Sequence, residues 1–146
     1  MFVITATIYN SYKLKILDNS TKIDLSANTI KLSLHTSSYT PSIDNHDFWD
    51  DVSGTEVTGT GYTTGGQALA TKATTQDNTD DEAVFDADDV IWSNSTITAR
   101  YAILRKDTGT PSTSPLIGYI DFGTNMSSSG DNFVVQWDTE GILNAN

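Results

Sequence analysis

Apolar positions along the chain recur every second residue far more often than at helical spacing. In residues 2–9, Phe2, Ile4, Ala6 and Ile8 alternate with Val3, Thr5 and Thr7, which predicts one strand with a single apolar face. Ile30, Leu32 and Leu34 alternate with Lys31, Ser33 and His35. That pattern predicts a second strand whose polar side carries His35. Residues 96–105 hold Ile97, Ala99, Tyr101 and Ile103 on one side and Ala102 and Leu104 on the other. Apolar residues on both sides predict a central strand. Further strand pieces are predicted at 67–75, 83–85, 90–92, 116–122, 133–137 and 141–143. Turns are expected at 77–82, 93–95 and 107–114. Only 12–17 suggests helix, as a short turn with Leu14 and Leu17 on one side. The Asp18-Asn19-Ser20 cluster ends it.

Seven or more short strands with regular turn signals predict one all-β domain over residues 1–146, an antiparallel β-sandwich or barrel of jelly-roll-like type. At most short helical turns are expected, and no helix is long enough for a βαβ crossover. Residues 36–66 form one long irregular loop, in which Asn45 is placed to cap a short turn over 46–52. Loops of this length are usually functional or disordered, and Phe48 and Trp49 argue against disorder. Trp92, Tyr101, Phe122, Phe133 and Trp137 fall in apolar strand patterns and are assigned to the core. Ser and Thr make up about a quarter of the chain, well above average usage, which also favours strands.

Charge narrows the function. The chain carries 19 acidic and 8 basic side chains, a net charge of −11. Counterion release from nucleic acid needs clustered Lys and Arg, and an anionic membrane repels such a surface, so neither partner is expected. With no cysteine, there is neither a disulfide framework nor a thiolate metal site. The first residues lack the basic start of a secretory signal. The expectation is synthesis in the cytoplasm, with export only as part of something larger.

Candidate chemistry is sparse. Asp44, His46, Asp47, Asp50 and Asp51 are the densest group of potential ligands, yet they suit a solvated turn equally well. Asp86, Asp88 and Asp89, within the acidic run from Asp77, are weak calcium candidates because Ca²⁺ takes several oxygens from a flexible loop. Their spacing matches no calcium motif, so no metal and no cofactor is assigned. The alternative is a solvated acidic edge that discourages strand pairing. Gly59-Thr60-Gly61 and Gly65-Gly66 predict turns with positive φ, since the Lys-Ser/Thr ending of a phosphate loop is missing. With two histidines and abundant Ser, any catalytic triad would be assembled by choice, so no catalytic residue is assigned and no enzyme is expected. Tyr39, Phe48, Trp49 and Tyr62 either close one end of the sandwich or anchor a partner.

Several blocks, taken together, resemble a family of small structural proteins of tailed bacteriophages and prophages. They are Thr36-Ser37-Ser38-Tyr39-Thr40-Pro41, His46-Asp47-Phe48-Trp49-Asp50-Asp51-Val52 and residues 59–66, followed by residues 85–92, 95–102 and 114–123. The resemblance implies a virion protein of the capsid decoration, or cement, type. Its partner would be the major capsid protein, with self-association as a homo-oligomer also possible. It would sit on the outer capsid surface after synthesis in the bacterial host cytoplasm. The contact elements are expected at Phe2 and Ile4 of the first strand and at Tyr39, Pro41, Phe48, Trp49 and Tyr62 of the long loop. A tail, fibre or vertex component present in few copies, or a carbohydrate-binding β-sandwich presenting Trp49 or Tyr62, are the alternatives.

Overall fold

The computed structural model describes residues 3, 4 and 6–146. The elements run in order β1 (Val3–Ile4), β2 (Thr7–Ile8), α1 (Asn10–Asp18), β3 (Ile30–His35), β4 (Gln67–Ala68), β5 (Ala73–Asp77), β6 (Glu82–Asp86) and β7 (Val90–Ser95). They continue with β8 (Thr98–Lys106), β9 (Leu116–Ser127), β10 (Asp131–Trp137) and β11 (Leu143–Ala145). The strands form a five-stranded antiparallel sheet, β2-β9-β8-β3-β4, and a three-stranded antiparallel sheet, β11-β6-β5. In a third sheet β10 pairs antiparallel with β7 and parallel with β1. Among the described residues the protein is thus mostly β with one short helix, and no closed barrel is formed.

Five predicted elements differ from those observed. The single strand expected over 2–9 is two strands in different sheets: β1 lies along β10 and β2 along β9. Ala6, between them, donates its N–H to the Ile142 carbonyl at 3.1 Å. Phe2 lies outside the described residues. The strand expected at 67–75 is likewise two, β4 and β5, separated by Thr71 at φ 53°. The turn expected at 93–95 is instead the end of β7, with Asn94 at φ 50°. The short turn over 12–17 is a nine-residue helix. The Asn45 cap is not made: its side chain donates to Ser42, and the turn at Trp49–Asp51 is held by Asp51.

The main core gathers side chains from all three sheets. Ile30, Leu32 and Leu34 of β3 and Ala102 and Leu104 of β8 meet Trp92 of β7, Phe133 and Val135 of β10, Phe85 of β6 and Leu143 of β11. Burying each large aliphatic here contributes roughly 1.5–3 kcal/mol. Phe122 and Trp137 join this core, as expected, but Tyr101 does not. The β8–β9 register changes between Ala99↔Met126 and Tyr101↔Asp121, leaving residues 122–125 opposite Arg100. An irregularity of this kind re-aims side chains. Ile97 and Ala99 face the main core, whereas Tyr101 and Ile103 face the opposite side.

That opposite side is not open to water. His35 and Ser33, expected on a solvated face, are fully buried. Residues 36–66 fold over the back of the five-stranded sheet. They add Tyr39, Trp49 and Val52 to a second core with Tyr9, Ile103 and Leu116.

Candidate functional site

The second core is built one polar contact at a time. Thr55 Oγ1 donates to the Val52 carbonyl at 2.9 Å, so it accepts from His35 Nδ1 at 3.0 Å. That assignment leaves Nε2 to accept from the Ser33 hydroxyl, also at 3.0 Å. Burial, with Arg105 as a lesser cause, pushes the His35 imidazole down to about 3, so it is neutral. Arg105 is itself buried, with its guanidinium carbon 3.8 Å from the centre of the Trp49 ring. Its Nη2 donates to the Gly65 carbonyl at 2.8 Å. A desolvated contact of this cation–π kind is worth about 2 kcal/mol. Tyr9 and Tyr39 share a hydrogen bond of 2.6 Å, and Tyr39 meets His46 Nδ1 at 3.2 Å. Burial pushes the Tyr39 hydroxyl up to about 12.

The loop is pinned at three places. The Asp51 carboxylate accepts the N–H groups of Asp47 and Phe48 at 2.8 and 3.0 Å. Partial burial pushes its pKa up, but these two donors and His46 outweigh that and hold it below the usual carboxylate range. The Glu56 carboxylate accepts from Tyr62 at 2.5 Å and from the Gly65 N–H at 2.6 Å. Gly66, at φ 74°, passes so close to β3 that a Cβ would stand 2.0 Å from the Leu32 carbonyl oxygen. Only glycine fits there.

The loop residues expected to meet a partner are therefore mostly committed inside the chain. Tyr39 and Trp49 are buried. Tyr62 is a packed ring: it stacks on Trp92 at 6.0 Å and accepts the Leu34 N–H at 3.0 Å. Pro41 and Phe48 are half-buried. Ile4 lies in β1 beside Trp137 of β10. Tyr39 and Trp49 cover the back of the five-stranded sheet, and Tyr62 joins the main core.

What the molecule shows to solvent is a helix with its sides exchanged. Helix α1 begins after Tyr9 without a side-chain cap and ends at Asn19, which adopts the left-handed conformation at φ 54°. Its inward side carries Tyr12 and Lys15, and Lys15 is only 8% exposed. The Lys15 ammonium pairs with the Asp47 carboxylate and lies 5.0 Å over the Phe48 ring. Facing outward are Leu14, Ile16 and Leu17, at 59%, 60% and 85% exposure. Leu14 and Leu17 are neighbours at i, i+3. Ile43 is also exposed, and its carbonyl accepts the Asn10 N–H at the start of the helix. Hiding a lysine while leaving aliphatics in water reverses the usual sorting. Together these side chains present on the order of 400 Å² of apolar surface, the size at which such patches are commonly functional. Leu14 and Leu17 do share a side, as the sequence suggested, but it is the outer one. No local pattern announces that orientation. Tyr12 in the main core and Lys15 on the Asp47 carboxylate hold the helix there.

The acidic groups do other work. Asp88 accepts from the Thr71 hydroxyl at 2.6 Å, and Asp89 accepts the Trp137 N–H at 3.0 Å, bracing the β6–β7 corner against β10. Asp86 is exposed. Among the described residues no three His, Cys, Asp or Glu side chains converge to hold a metal, and no helix is long and apolar enough to cross a membrane.

Comparison with protein-family models, with curated proteins and with solved structures returned no match.

Proposed function

We propose that the chain is a structural virion protein that decorates the outer surface of a tailed-phage capsid and stabilises the shell, on a jelly-roll-like sandwich. The observation that carries this is the outward aliphatic side of α1, held in place by a buried lysine. Such a surface is made for contact with protein. At about 400 Å² it is half of the ~800 Å² per partner found in stable interfaces. A chain with this patch and a charge of −11 stays apart from its own copies in solution. It binds where an assembled lattice offers several contacts at once. Binding only the mature shell stabilises that shell by mass action. The carbohydrate-binding alternative draws on an exposed Trp49 or Tyr62, and both rings are packed.

The test is the copy number of the chain relative to the major capsid protein in purified particles. Hundreds of copies in fixed ratio are expected. A handful would place the protein in the tail, fibre or vertex, and absence from particles would overturn the virion assignment.

A further inference from the structure

Beside the outer strip of α1 a cleft opens between the helix and the β11-β6-β5 sheet. One part, of about 150 Å³, is lined almost wholly by apolar groups, among them Ile8, Tyr12, Ile16, Leu25, Phe85 and Leu143. The other part, of about 460 Å³, runs between α1, residues 19–25 and Thr74 of β5, and its charged lining is Lys15, already paired with Asp47, and Lys22 and Asp24. Tyr12, Ile16, Leu25 and Thr74 line both parts, so the cleft is continuous. Thr74 brings the edge of β5 onto its rim. β5 is the last strand of its sheet, and among the described residues no backbone hydrogen bond reaches the outer edge of residues 74–76. An unpaired edge beside an apolar slot is the geometry of strand addition: main-chain bonds hold an incoming segment, and alternate side chains enter the slot.

Charge selects the occupant. Between Lys72 and Arg100 the chain has no Lys or Arg, but it carries Asp77, Asp80, Asp81, Glu82, Asp86, Asp88 and Asp89. None of these seven is in an ion pair among the described residues. They flank both ends of the β5–β6 hairpin. A second copy of β5 would bring two such hairpins together, and like charges oppose that pairing. A segment bearing Lys or Arg meets no such barrier and is attracted.

We propose that the cleft between α1 and β5 receives an extended partner segment in which apolar residues alternate with Lys or Arg. The segment adds to the free edge of β5, with its apolar side chains in the slot beside Ile16 and Leu25 and its basic side chains over the hairpin carboxylates. This rests on the assignment of the chain as a protein-binding virion component, and it names the chemistry of the partner.

The ¹⁵N-labelled chain titrated with a short alternating Lys–Val peptide tests it, with an alternating Glu–Val peptide as control. Amide shifts are expected along residues 73–77 and around Ile16 and Leu25, with slowed hydrogen exchange on the outer edge of β5. Binding should weaken at least tenfold in the Asp80→Asn, Asp81→Asn, Asp86→Asn triple variant, and similarly in Ile16→Lys, whose site is exposed enough to leave the fold intact. Equal binding of both peptides, no binding, or shifts confined to other strands would overturn the proposal. In particles, full occupancy by the triple variant alongside loss of a Leu14→Asp, Leu17→Asp variant would remove the cleft but keep the decoration role. Absence of the wild-type chain from particles would remove that role, while the peptide result still decides the cleft.

Discussion

The two faces of the five-stranded sheet are sealed in different ways. The front is covered mainly by other strands, with Tyr12 of α1 and Val57 and Tyr62 of the loop joining them, and its contacts are aliphatic and aromatic: Ile30, Leu32 and Leu34 against Trp92, Phe133 and Val135. No partner in such a core is unique, because dispersion contacts are many and individually small. The back is covered by a loop that pays in specificity: Ser33, His35 and Arg105 are buried there, His35 between Ser33 and Thr55 of the loop, and Arg105 on the Gly65 carbonyl and the Trp49 ring. A buried polar group left without its partner costs about 1–3 kcal/mol. The front should therefore tolerate volume-conserving exchange, whereas the back tolerates little change in chemistry.

The largest effect should come from the front. Trp92→Ala is expected to cost about 3–5 kcal/mol in urea denaturation, through the cavity it leaves. Volume-conserving Leu32→Met should cost less than about 1.5 kcal/mol, and a loss as large as that of Trp92→Ala would show that the front too is specific. Next comes the strut of the back. Gly66→Ala should lose at least about 2 kcal/mol, because the backbone must leave its left-handed conformation or push β3 aside; an unchanged denaturation midpoint would refute that close approach.

The back should also respond to pH where the front does not. His35 has a folded pKa of about 3 against an ordinary value of 6.5. Between those values the unfolded chain binds the extra proton, so its stabilising contribution is present above pH 6.5 and is lost as pH falls toward 3. The loss should reach about 2 kcal/mol by pH 5. Asp51, Asp107 and Asp121 have depressed values and stabilise the fold above their ordinary value near 3.8, so their loss begins lower. A His35→Gln variant that kept the full slope between pH 6.5 and 5 would contradict this account. The smallest effect is expected outside both cores. Leu14→Ser with Leu17→Ser should change stability by less than about 0.5 kcal/mol while reducing occupancy on particles. Full occupancy would separate the strip from binding.

Strand identity was legible where alternation was clean, as in residues 30–35, and so were the core roles of Trp92, Phe122, Phe133 and Trp137. The sequence misled where a face was assigned from polarity alone. Ser33 and His35 look like solvent-facing residues because nothing nearby in sequence covers them; their cover arrives from residues 36–66. Tyr101 changed sides because of the register shift at residues 122–125, for which Gly123 at φ 78° is the sole local sign. The candidate surface was the least legible part. Aromatics in a long loop look like anchors, yet Trp49 and Tyr39 are consumed in holding that loop down. The exposed strip lay instead on a short helix held by Tyr12 in the core and by Lys15 on a distant carboxylate.

Residues 3, 4 and 6 meet residues far along the chain: β1 lies along β10, and Ala6 bonds to Ile142. During synthesis these early residues leave the ribosome long before the residues they pair with. They must wait unpartnered while the sheets between them assemble. Closing so wide a span raises the contact order and slows folding into the millisecond-to-second range of β-rich chains. The reward is a latch: β1 becomes native only with β10, and Ala6 only with Ile142, so a nascent chain short of residue 142 lacks part of this seam.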